Sequence, residues 1–134
     1  MRGLAFGIVL ALFAGPLSAQ SNGERIEAVI SSQFAAFQDD DVATAFTFAS
    51  PMIQSIFGSA ERFGQMVRSG YPMVWRPKDV SFTCLTERNG QYFQSVRITD
   101  AAGTAHSLDY EMIETEAGWL INGVFFRPPS CLGA

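Results

Sequence analysis

Hydrophobic positions recur with helical spacing over the first half of the chain and with strand spacing over the second. Ile26, Val29, Ile30, Phe34 and Phe37 share one helical face, with Glu24, Glu27 and Gln38 off it. Ser21-Asn22-Gly23-Glu24 has capping-box spacing just ahead of them, so an amphipathic helix of about four turns is expected. Asp39-Asp40-Asp41 ends it as a solvated turn in which Asp41 caps the next helix. The run lacks the spaced ligands of a calcium loop. Val42, Ala45, Phe46 and Ala49 make a short second helix. Ser50-Pro51 reads as an N-cap followed by proline at the first helical position, with Ile53, Ile56 and Phe57 beyond it and Gly58 as the stop. Ser59 caps a further helix whose apolar face is Phe63, Met66 and Val67, and Gly70 is expected to close it as a C-terminal glycine. Tyr71-Pro72 must then be extended or turned.

From Met73 the period becomes two. Lys78 to Glu87 reads as a strand with Val80, Phe82 and Cys84 on one face, and Asn89-Gly90 is a hairpin turn. Gln91 to Thr99 returns with Tyr92, Gln94, Val96 and Ile98 on one face and Phe93, Ser95 and Arg97 on the other. Ala105 to Thr115 places Leu108, Tyr110 and Met112 together, opposite Asp109, Glu111 and Ile113. Trp119 to Phe126 is the last strand, and Arg127-Pro128-Pro129 ends it. Helices followed by an antiparallel meander of about four strands are an α+β layout, with a curved sheet wrapped on the long first helix and a concave face covered at one end by residues 46–77. Pockets form at such mouths.

Composition adds a compartment. Arg2, an apolar run from Leu4 to Ala14, Pro16 and the small-residue stretch Leu17-Ser18-Ala19 have the layout of a secretory signal peptide, too short to span a bilayer. The expectation is a signal peptide over 1–19 and one domain over 20–134, exported to the periplasm or secreted, with no membrane association after cleavage. Removing Arg2 leaves 8 basic against 13 acidic residues. An acidic chain with scattered arginines has no footprint for nucleic acid. Two cysteines in an exported chain suggest a Cys84–Cys131 disulfide pinning the C-terminal tail to the sheet.

The series Ala45-Phe46, Phe48-Ala49-Ser50-Pro51, Ile53-Gln54, Phe57-Gly58, Phe63, Met66-Val67, Gly70-Tyr71-Pro72, Val74 and Arg76-Pro77 carries a resemblance. With Gln94, Tyr110-Glu111-Met112 and Gly118-Trp119, it resembles a bacterial family of exported proteins, the domain of unknown function 4864. That family is similar to the small cone-shaped, cystatin-like folds typified by nuclear transport factor 2, ketosteroid isomerase and the SnoaL-like polyketide cyclases. The resemblance implies this fold. It implies no activity, because the group holds enzymes, ligand binders and dimerisation modules.

The chemistry narrows the choice without closing it. His106 stands alone, a structural residue on the simplest reading, and with two distant cysteines it makes no zinc-type cluster, so no metal or cofactor is expected. No serine sits in a Gly-x-Ser-x-Gly elbow and no glycine run forms a phosphate loop; Gly58, Gly64 and Gly70 read as helix punctuation or packing. Asp109 and Glu111 alternate away from Tyr110, which argues against a tyrosine–carboxylate pair from one strand. What remains is an aromatic-lined pocket for a small apolar or amphipathic molecule, with Tyr71, Trp75, Arg76, Gln94, Tyr110 and Trp119 as ligand-binding candidates. On the plainer reading, Tyr71 and Trp75 are core wedges, Arg76 pairs with a local acid and Gln94 satisfies a buried backbone group. The alternatives are a homodimer or interaction surface on the outer sheet face, where Phe93, Arg97 and Glu111 would lie, and a small-molecule isomerase or cyclase using Tyr71 or Tyr110.

Overall fold

The computed structural model describes residues 20–127 and residue 131, so the expected signal segment and the Pro128-Pro129 stop lie outside the described residues. In chain order the described residues form α1 (Asn22–Gln38), α2 (Val42–Thr47), α3 (Pro51–Phe57), α4 (Ala60–Gly70), α5 (Pro72–Trp75), β1 (Asp79–Arg88), β2 (Gln91–Thr99), β3 (Ala105–Thr115) and β4 (Gly118–Phe126). The first four helices each start on a side chain that the sequence supplies. Ser21 and Glu24 make a reciprocal capping box. Asp41 accepts from Thr44 N, Ser50 from Ile53 N and Ser59 from Arg62 N. The Asp41–Thr44 bonds hold the Asp41 carboxyl below its ordinary range, the side-chain bond most.

Two boundaries differ from the sequence expectation. Gly70 is not a left-handed stop. It ends α4 without a positive φ, and the cap is Tyr71, whose N–H bonds to Val67 O at 2.8 Å. Nor does a strand pattern begin at Met73. Pro72, with its φ already fixed for a helix, starts the single turn α5, and Met73, Val74 and Trp75 are all buried. Three consecutive buried residues fit one wedged turn better than alternation.

The sheet is antiparallel in the order β1-β2-β3-β4. Asn89 and Gly90 both take positive φ, 53° and 80°, as a two-residue hairpin of matching twist requires. Val96, Ile98, Leu108, Tyr110, Met112 and Ile121 turn one face of the sheet onto Ile26, Ile30, Phe34 and Phe37 of α1, which together form the core. Two irregularities in the ladder matter for function. In β1 the register shifts between Phe82 and Leu85, so that Thr83 and Cys84 together oppose Ser95. This bulge corrects the expected grouping of Val80, Phe82 and Cys84, because it turns Cys84 to the outer face, where its sulfur lies 4.0 Å from Ser95 Oγ. There it is bridged to Cys131 with a Cα separation of 6.0 Å. In β4, Gly123 pairs with Glu111 but Ile121 pairs with Met112, leaving Asn122 as an extra residue.

The helical layer is clasped to the sheet at this second bulge. Ser50 N donates to Ile121 O and Ile121 N to Phe48 O, both at 2.8 Å, making a parallel bridge at Ala49. Ser50 Oγ also donates to Asn122 Oδ1 at 2.7 Å, and Asn122 Nδ2 donates to Glu111 Oε2 at 2.6 Å. Gly64 lets α4 approach α2; a Cβ there would stand 2.5 Å from Val42 Cγ1.

Candidate functional site

A cavity of about 290 Å³ lies where α3 and α4 meet the inner face of β3 and β4. That is at the lower end of the range for small-molecule pockets. Its wall combines Phe37, Phe57, Phe63, Val67, Ile121 and Val124 with four polar residues, Gln33, Tyr71, Tyr110 and Asn122. Helix caps explain the placement. Ser50 and Gly58 fix the two ends of α3, Ser59 restarts the chain as α4, and Tyr71 ends α4 directly over β4. Among the described residues that line the cavity there is no Asp, Glu, Lys, Arg or His.

Three of the four polar groups are engaged. Gln33, 5% exposed, donates from Nε2 to Ala45 O at 3.1 Å. Asn122 is held between Ser50 and Glu111. Tyr71 Oη donates to Val124 O at 3.3 Å, and its ring stacks on Phe126 with centroids 5.1 Å apart. Tyr110 differs. It is 1% exposed, and its hydroxyl has no hydrogen-bond partner among the described residues. Burial pushes its phenol pKa far up, with Tyr71 adding to the effect, so the group stays neutral at any ordinary pH.

Of the six residues expected to gather at a pocket, the cavity takes Tyr71 and Tyr110 and the structure places the other four elsewhere. Trp75 packs on Phe37, its ring lying under the guanidinium groups of Arg76 (4.9 Å) and Arg68 (5.4 Å). Arg76 donates from Nη1 to Phe37 O and Trp75 O and from Nη2 to Asp40 Oδ1, closing the C-terminus of α1. Gln94 donates to Cys84 O and Ser95 O, serving the backbone where the β1 bulge disturbs the ladder. Trp119 meets Tyr92 edge-on at 5.0 Å and lines a shallower groove with Arg25 and Glu114. The reason is common to all four: each sits at an element end or beside a bulge, where backbone groups need side-chain partners or gaps need a large ring.

Gln33 and Asn122 join the wall without having been expected there. Gln33 lies seven residues after Ile26 and three after Ile30, on the same helical face, and that spacing is its sequence signal. The signal for Asn122 is the Asn122-Gly123 pair inside an otherwise apolar strand, which marks a bulge.

The outer face of the sheet has its own polar centre. Asp109, 3% exposed, accepts from Ser95 Oγ at 2.7 Å, with Arg88 and Arg127 at 4.0 and 3.9 Å. The same two arginines lie over Phe93 and Phe125. Asp109 thus faces away from Tyr110, as its alternation requires. His106 bonds instead to Asp100 at 2.8 Å, and that bond is the main cause holding the Asp100 carboxyl below its ordinary range.

Residues 19–131 match the family described as Domain of unknown function (DUF4864). No curated protein matches the chain. Among solved structures, a protein titled Rd1NTF2_05 with five named substitutions aligns at a TM-score of 0.54 and 15% identity, over 80% of this chain and 100% of that one. At that identity the likeness carries the fold alone: an α+β cone of the nuclear-transport-factor-2 type.

Proposed function

The chain belongs to the family called domain of unknown function 4864, and from its cavity we propose that it is a noncatalytic binding domain for a small apolar molecule. One observation carries the reading: the cone is hollow, with a wall of aromatic and aliphatic side chains and few polar atoms. Binding is favoured over catalysis because neither tyrosine of the wall is hydrogen-bonded to a carboxylate or to His106. It is favoured over self-association through the outer sheet face because Phe93 and Asp109 are already buried there beneath the chain's own Arg88 and Arg127. The cysteine bridge, and the absence among the described residues of a helix long and apolar enough to cross a membrane, support an exported compartment for this role.

The test uses a neutral apolar fluorophore, N-phenyl-1-naphthylamine, titrated against the disulfide-bonded protein. Saturable binding is expected, weakened at least tenfold by Val67→Phe, which fills the cavity from α4. Failure to bind, or undiminished binding by a folded Val67→Phe variant, would remove the cavity as the site.

A further inference from the structure

The apolar lining of the cavity continues onto the surface of the molecule. The deep end of the cavity is made by buried Phe37 and Tyr110, whereas Ile53, Phe57, Tyr71 and Val124 are only partly covered, so it opens on the side of α3 and the end of β4. Among the described residues the three most exposed large apolar side chains, Met52 (51%), Ile56 (65%) and Phe126 (53%), all belong to these two elements. Met52 and Ile56 stand one turn apart on α3, beside the Ile53 and Phe57 pair that lines the cavity, and Phe126 stacks on Tyr71. No residue of α3 is buried, so this apolar helix has a face without a partner. Residues 42–60 and 117–126, which supply α3 and β4, contain no Asp, Glu, Lys, Arg or His. An exposed apolar patch that runs into a hollow marks a surface for an apolar ligand.

A cavity of about 290 Å³ encloses only a compact group. A ligand that also covers the apolar surface outside must be longer than the hollow and slender enough to pass between α3 and β4. Its polar part stays outside, because the lining offers no charged side chain to a buried head group and the Tyr110 hydroxyl is fully buried. We infer that the ligand is an alkyl chain with one polar head, inserted tail first: the far end of the chain fills the cavity, the next part crosses the rim at Ile56 and Phe126, and the head remains in water. The inference rests on the binding reading above and adds to it the shape and polarity of the ligand.

Octyl, decyl and dodecyl maltosides test it, titrated below their micelle-forming concentrations into the disulfide-bonded protein and followed by backbone amide shifts of the cavity wall. Affinity is expected to rise about tenfold with each two methylenes. Decanoate and decyltrimethylammonium should bind about as tightly as decyl maltoside, since the head stays outside. Ile56→Glu, a change at an exposed position, should weaken dodecyl maltoside roughly three- to tenfold and leave binding of N-phenyl-1-naphthylamine as in the wild type. Saturable binding of the fluorophore with no binding of the chains, or with affinity that ignores chain length, would overturn the inference and leave the binding reading standing. A strong preference among the three heads would place the head on the protein and overturn it too. Absence of binding by the fluorophore and by every chain would overturn both readings. Undiminished binding of dodecyl maltoside by Ile56→Glu, or a wild-type dimer in sedimentation velocity that Ile56→Glu splits, would show that the exposed rim serves something other than the chain and would overturn the inference.

Discussion

At Ser50 one hydroxyl joins the helical layer to the sheet. It accepts from Ile53 N as the cap of α3 and donates to Asn122 Oδ1 on the bulge of β4, and the residue has no exposed surface. Ser50→Ala should therefore cost about 1–2 kcal/mol for the lost cap, with a further loss because Asn122 Oδ1 is left without its donor. Urea unfolding monitored by circular dichroism measures it, and a loss well under 1 kcal/mol would mean that the clasp is held by the backbone bridge alone. Gly64→Ala is the opposite kind of change. The new methyl meets Val42, and the crowding should destabilise by about 1–3 kcal/mol, read in the same way. The capping role of Ser50 was legible from the Ser-Pro pair. Its bond to Asn122 was not, because that partner lies 72 residues away and faces it only through an inserted residue. Tyr71 and Tyr110 were legible as wall residues from their place at the seam and on the inner strand face. Trp75 and Arg76 misled because a cation beside an aromatic ring looks alike whether it awaits a ligand or, as here, closes the end of a helix.

Among the elements, β1 is the one that carries a crosslink. Its bulge presents Cys84 to the outer face, and the bridge to Cys131 closes a separation of 47 residues. By loop-closure entropy the bridge is worth about 4 kcal/mol at most. The Cys84→Ser, Cys131→Ser double variant should lose about 2–4 kcal/mol in chemical denaturation, and reductant should lower the melting temperature of the wild type but not of the variant. The pairing of the two cysteines was legible from their even count in a chain expected to be exported. The face they meet on was not, since alternation assigns Cys84 to the core side and a bulge leaves no plain mark in Phe82-Thr83-Cys84. The helices were more legible than the strands' irregularities for a simple reason. Caps are made by side chains close in sequence, whereas bulges answer to a neighbouring strand.

Over the whole molecule, three groups among the described residues shape the response to pH. Asp41 and Asp100 are held below their ordinary value of 3.8 by hydrogen bonds made in the fold. A depressed carboxyl contributes stability above the unfolded value and loses it as pH falls through the folded one, so stability should hold down to about pH 4 and decline below it. Asp41→Asn should flatten part of that acid limb in urea midpoints taken between pH 5 and 2.5. Tyr110 has the reverse sense: its pKa is raised above 10.0. Its contribution is complete below that value and fades as the unfolded state ionises at higher pH, and Tyr110→Phe should remove this part of the alkaline limb. At this scale the α+β order, the meander and a concave face were readable from periodicity, and the cone type from the family resemblance. Whether the cone is hollow was not, because that depends on how far the α2–α3 junction is drawn onto β4.

That junction has a consequence for how the protein behaves when crowded. An antiparallel sheet with two free margins is a template onto which strands of other molecules can grow. Here the first half of the β4 margin is already occupied by Phe48 and Ser50, which exchange backbone bonds with Ile121, and Tyr71 covers the carbonyl of Val124 beyond it. The β1 margin is bent by its bulge and fastened through Cys84. The chain thus guards both of its growth points against fibril formation. The one at β1 is the more exposed to chemistry, since a reducing environment would release its fastening while leaving the other intact.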